Sequence, residues 1–127
     1  MHWSEPYIGM PYVPGDNDCA SFAARVVREV FAREIGLPHE RSDGVSGWSR
    51  QIECAKNDYG IRVNKPEEGD AVLMIGRGRL NHIGVYCVIG GVGYVLHAML
   101  KHGAVALHRI RDLDNVGLAV EGYYRWK

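Results

Sequence analysis

From Asp18 onward the chain repeats apolar side chains at a helical interval. Cys19, Phe22, Val26 and Val30 recur three to four residues apart, and Val27 and Phe31 widen the stripe. Arg25, Arg28, Glu29 and Arg33 take the opposite side. The pattern predicts an amphipathic helix over "DCASFAARVVREVFAREIGLP". Asp18 or Asn17 can cap its start, because a short side-chain oxygen accepts from the orphan N–H groups of the first turn. Gly36 offers a left-handed cap at the other end, and Pro38 forbids continuation. Residues 1–18 are rich in Gly, Pro and Asp and read as loop and turn.

The second half changes period. "DAVLMI", "HIGVYCVI", "GYVLHA", "AVALHRI" and "LAVEGYYRW" are β-branched or aromatic runs, separated by "GRGRLN", "GG", "KHG" and "RDLDNVG". Between the two halves, a short helix from about Ser46 to Lys56 is followed by a turn at "NKPEEGD". A helix followed by meandering strands predicts an α+β domain, with the N-terminal helix packed on an antiparallel sheet of five to six strands. No repeat or linker is visible, so residues 1–127 are read as one domain.

Composition narrows the function classes. Of the 127 residues, 46% are apolar, enough for a real core. Fifteen Lys and Arg balance fifteen Asp and Glu, which gives no electrostatic reason to expect nucleic acid or an anionic membrane as partner. No apolar run approaches the ~20 residues needed to insert through a bilayer. "MHWSEPYIGM" does not read as a signal peptide, so synthesis in the cytoplasm is expected. Cys19, Cys54 and Cys87 are odd in number, and no pair has C-x-x-C spacing, so a disulfide scaffold is not expected.

Cys19 is the residue with chemical promise. A thiol in the first turn of a helix sits near unpaired N–H groups and the positive end of the helix dipole. Both favour thiolate over thiol, and the same N–H groups suit the oxyanion of a tetrahedral intermediate. The thiolate needs an imidazole partner. His82 opens one strand and His97 lies in the next. Alternation puts His82, Gly84 and Tyr86 on one face and Ile83, Val85 and Cys87 on the other. With a hairpin loop at 89–92, Val88 pairs with Gly93, and His97 falls opposite Gly84, a diagonal neighbour of His82. A loop at 90–93 would put His97 opposite Tyr86 and separate the pair. The first register is preferred. His2, His39, His102 and His108 fall in loops or at strand ends and are read as solvated. Cys87 is read as buried and inert, and Trp48, Trp126, Tyr123 and Tyr124 as core or sheet-face aromatics. The "RGR" at 77–79 is read as a solvated turn.

Taken in order, "PYVPGDNDCASFAARVV", "GDAVLMI", "NHIGVY" and "VLHA" resemble the motifs of the NlpC/P60 superfamily of cell-wall cysteine peptidases, from about Tyr7 to Ala98. "REIGLP", "VALHRI" and "EGYYRW" resemble its small phage-tail branch. The resemblance implies a papain-like NlpC fold with Cys19 as nucleophile, His82 as general base and His97 as the third member that orients the His82 ring. It also implies that Tyr12 lines the site and that Asp18 and Ser21 border the nucleophile beside the substrate. The expected substrate is the peptidoglycan stem peptide, cut between γ-D-glutamate and a diamino acid such as diaminopimelate. No cofactor or metal is implied. Other phage tail proteins are the expected partners, and a virion tail or the cell wall is the expected place of action. This sequence has Ala20-Ser21 where the family usually has Ser-Gly after the cysteine. Three alternatives stay open: a zinc site built from Cys19, His82 and His97, a tail module that kept the fold without the reaction, and an acyltransferase on the same scaffold.

Overall fold

The computed structural model describes residues 2–35 and 44–127, with side chains described from residue 50 in the second stretch. Helix α1 spans Cys19–Phe31 and helix α2 spans Gly44–Tyr59. Six strands follow: β1 (Gly60–Val63), β2 (Ala71–Gly76), β3 (Arg79–Ile89), β4 (Val92–Met99), β5 (Ala104–Arg109) and β6 (Leu118–Trp126). They form one antiparallel sheet in the order β1-β6-β2-β3-β4-β5. The fold is α+β, as the change of period predicts. Among the described residues, no helix is long and apolar enough to cross a membrane.

Asp18, rather than Asn17, caps α1. Its carboxylate accepts from the Ser21 N–H at 3.0 Å, and the Ser21 hydroxyl accepts from the Asp18 N–H at 2.9 Å. This reciprocal capping box satisfies two otherwise orphaned donors. The other end departs from expectation. Instead of running to Gly36, α1 stops at Phe31, and Ala32 takes the left-handed conformation at φ 56°. The Ala32 and Arg33 N–H groups bond back to the carbonyls of Arg28 and Val27. Tertiary contacts account for the early stop. The Phe31 ring fills the space above Gly69 and meets Trp3 edge-on at 5.4 Å. Arg33 donates to the Trp126 carbonyl at 2.9 Å. Gly36, Pro38, His39 and the Trp48 side chain lie outside the described residues.

The β3–β4 hairpin keeps the preferred register, Val88 opposite Gly93, but its loop is shorter than 89–92. Ile89 pairs with Val92, and Gly90 and Gly91 alone turn the chain at φ 59° and 77°. Both values lie in the left-handed region that two-residue hairpin turns require. Strand β1 was not evident in the pattern, because "GIRV" is short and half-exposed at the sheet edge. The "RDLDNVG" break is also more than a turn. Ile110–Val116 forms a 3-10 helix that buries Leu113 against Val72, Met74 and Val95.

The two faces of the sheet are covered differently. Leu73, Ile83, Val85, Cys87, Leu96 and Ala98 pack with Phe22, Ala23, Val26 and Val27 of α1. Val72, Met74 and Val95 face the 3-10 helix. Cys87 lies on the α1 side, opposite His82, as alternation predicts.

Candidate active site

Loop 9–17 fixes where α1 begins. Met10 and Tyr12 hydrogen-bond along the start of β5: Gly9 N–H to the Val105 carbonyl, Val105 N–H to Met10, and Tyr12 N–H to Gly103, each at 2.8–2.9 Å. The chain then reverses at Val13–Asn17, and the Asn17 amide donates to the Pro11 carbonyl at 2.7 Å. Asp18 follows as the cap, and Cys19 is the first helical residue. Cys19 therefore follows a loop that is tied to the end of the sheet where β4 finishes and β5 starts. In an antiparallel neighbour, that is also where β3 begins, with His82. Cys19 is buried at 3% exposure, in the cluster that Tyr12 packs against.

The histidines meet on the sheet. Val85 pairs with Leu96, and one further step of that register sets His97 level with Gly84. His82 Nε2 lies 2.7 Å from His97 Nδ1. Gly84 makes this approach possible, since a Cβ there would stand 3.0 Å from His97 Cβ and 2.4 Å from Val95 Cγ2. A register shift between Met74 and Ile75 leaves Asn81 as the extra residue between Leu80 and His82. This places His82 opposite Met74.

The chain of imidazoles is longer than expected. His108, expected from the sequence to be solvated, instead has its Nδ1 2.9 Å from His97 Nε2. Val95 pairs with His108 and His97 with Ala106, so His97 and His108 are diagonal neighbours on β4 and β5. The signal for this was available: His108 shares the parity of His97 once β4 and β5 are paired, but the "KHG" turn gives no register without the structure. His102 lies beyond, its ring centroid 5.9 Å from that of His108. His97 is fully buried. Its pKa is pushed well below the ordinary value, first by loss of water and then by the neighbouring imidazoles of His82, His108 and His102. His108 is lowered by burial and by His102, against the opposing pull of Asp112.

Residues 9–117 match the NlpC/P60 family. The chain belongs to that family. Neither the curated proteins nor the solved structures yielded a match. NlpC/P60 membership points to a cell-wall peptidase of the cysteine type. The family match covers Cys19, His82 and His97, and it carries no information about a phage-tail branch.

The two residues expected beside the NlpC/P60 substrate are engaged with each other. Asp18 is 2% exposed, with one oxygen on Ser21 and the other accepting from the Gly15 N–H at 3.0 Å. Ser21 closes the capping box. Both build the start of α1. Among the described residues, no group of three or more His, Cys, Asp or Glu side chains is arranged to hold a metal ion. The donor set explains why. Both ring nitrogens of His97 are taken up by imidazoles, whereas a zinc ligand must offer a lone pair to the ion.

Proposed function

We propose that this NlpC/P60 protein is a cysteine peptidase that hydrolyses an amide bond of the peptidoglycan stem peptide, with γ-D-glutamyl-diaminopimelate as the bond. Cys19 is the nucleophile, His82 the general base and His97 the residue that orients His82. The observation that carries this reading is the 2.7 Å contact between His82 Nε2 and His97 Nδ1 at the end of the sheet where α1 begins. A base whose second nitrogen is held by a buried partner is fixed in ring orientation and tautomer, the arrangement a nucleophilic triad needs.

By strand alternation the imidazoles rise on the Val95 face, while Cys19 belongs to the cluster on the α1 face. Thiol and base therefore serve each other around the open end of the strands, not through the middle of the sheet. In the reaction, the Cys19 thiol passes its proton to His82 and its sulfur bonds to the amide carbon. The negative oxygen is stabilised at the start of α1, where the Cys19 N–H is the proposed donor. His82 returns the proton to the departing amine, and water then hydrolyses the thioester.

Purified peptidoglycan incubated with the protein tests this by mass analysis of the products. Cleaved stem peptides are expected. New amide linkages would make the protein an acyltransferase, and no change would favour a binding module. His97→Asn and His97→Gln should each retain part of the activity, because both keep an acceptor for the His82 N–H. His97→Ala at wild-type rate would remove His97 from the mechanism. A place in a virion tail is supported by "REIGLP", "VALHRI" and "EGYYRW" alone, and detection of the chain in purified virions tests it.

A further inference from the structure

The hydrogen-bonded chain does not end at the third member of the proposed triad. His97 contacts His82 through Nδ1 at 2.7 Å and His108 through Nε2 at 2.9 Å. A neutral imidazole carries one N–H and one lone pair. A neutral ring with an imidazole on each nitrogen must therefore donate to one and accept from the other. Full burial, with three imidazoles nearby, keeps His97 neutral.

Three neutral rings in a row then have only two head-to-tail polarities. In one, His82 Nε2–H donates to His97 Nδ1, and His97 Nε2–H donates to His108 Nδ1. The lone pair of His82 is then on Nδ1, and that nitrogen can receive a proton from a thiol. In the other, His108 Nδ1–H donates to His97 Nε2, and His97 Nδ1–H donates to His82 Nε2. His82 then carries its proton on Nδ1 and cannot act as a base there. The choice between an active and an inert His82 is made two rings along the hydrogen-bonded row.

We propose that His108 is a positioning residue: by accepting from His97 Nε2–H at its own Nδ1, it locks the buried ring in the tautomer that accepts from His82. Its catalytic consequence rests on the peptidase reading above, whereas the tautomer assignment does not. The surroundings of His108 fit an acceptor. His97 and His102 face it as imidazoles, and Asp112 is held by Arg109 at 2.7 Å. Burial and His102 together outweigh Asp112 and keep the ring toward its neutral form, the form that has a lone pair to offer.

The test uses the full chain with Cys54→Ser, so that exposed Cys54 does not report. Two readouts are taken: the iodoacetamide alkylation rate at Cys19 and the side-chain nitrogen NMR of the histidines. Wild type should show His97 protonated on Nε2 and His108 with a bare Nδ1. His108→Phe, which keeps a ring and removes the acceptor, should slow alkylation and stem-peptide cleavage about ten- to a hundredfold, the range found when a metal-bound histidine loses the partner that orients it. His108→Asn, whose Oδ1 replaces the Nδ1 acceptor, should restore most of the rate. A wild-type spectrum with His97 protonated on Nδ1 overturns the proposal. So does equal impairment of the Phe and Asn variants, or no impairment of either. Failure of the peptidase reading shows separately, as His82→Ala alkylating at the wild-type rate. The spectrum alone then decides the His108 assignment.

Discussion

Two buried cysteines sit in this molecule, and their surroundings differ. Cys19 begins α1, directly after a loop tied by backbone hydrogen bonds to the start of β5. Cys87 lies in the middle of β3, packed among Val85, Leu96 and the α1 stripe, with no exposure at all. Burial pushes the Cys87 thiol far up and the Glu68 carboxylate adds to it, together outweighing a backbone hydrogen bond from Leu96 that pulls the other way. Its sulfur contacts the Val85 carbonyl at 3.7 Å, an acceptor that does nothing to stabilise a thiolate. Burial by itself therefore makes a thiol inert. Activation needs donors that outweigh burial and a base that takes the thiol proton and later gives it up. A chain supplies these most readily where elements end, since the first N–H groups of a helix have no partner within it, whereas most N–H groups in a strand interior are already paired in the ladder.

The comparison breaks most visibly in activity. Cys19→Ala should fold with at most the small loss of stability that a buried sulfur carries, and lose stem-peptide hydrolysis by roughly 10⁶-fold, the scale for removing a covalent nucleophile. Cys87→Ala should keep the wild-type turnover. If the two variants were equally active, the distinction between end and middle of the sheet would carry no chemistry.

Gly84→Ala tests the boundary between the two regions. The added Cβ would meet Val95 Cγ2 at 2.4 Å and the backbone oxygen of Leu96 at 3.0 Å. The Leu96 oxygen belongs to the strand and yields little, so a loss of about 2–3 kcal/mol is expected in urea unfolding. His97 is displaced with it, and hydrolysis should fall in parallel. A stable, fully active Gly84→Ala would show that the histidine contact does not depend on that gap.

Acid stability separates the regions by charge. His97 has a folded pKa well below its unfolded value of 6.5, and His108 is shifted the same way. The unfolded chain thus binds protons that the folded chain refuses. Stability should be level above the unfolded value and fall as pH drops through it, by up to about 1.4 kcal/mol per pH unit for each such histidine. Urea midpoints across this range should fall less steeply in His97→Gln. An unchanged slope would mean that His97 takes up a proton in the folded state. Cys87→Ala gives the smallest effect. Loss of a buried sulfur should cost about 1–2 kcal/mol, read as a lower melting temperature.

Much of the fold was legible because local rules and tertiary packing agree. The 3–4 spacing from Cys19 to Val30 and the Asp18 cap mark the start of α1, and both depend only on residues within one turn. Alternation in "HIGVYCVI" and "GYVLHA" separated the histidine face from the Cys87 face, and the Gly-Gly pair allowed the register that brings His82 to His97. The end of α1 was misread because Phe31 and Arg33 find partners in Gly69 and Trp126, far along the chain. Strand β1 was missed because a four-residue edge strand exists only by pairing with β6.

The sequence by itself determined the helix that presents Cys19, the five strands from β2 to β6, and the parity that gathers His82 and His97 on one face, since these follow from periods of 3.6 and 2 in a covalent chain. Only the tertiary structure decided that His108 joins them. That contact depends on how β4 and β5 slide past one another, and a sliding register is set by the packing of all six strands, not by any residue within the turn that connects them.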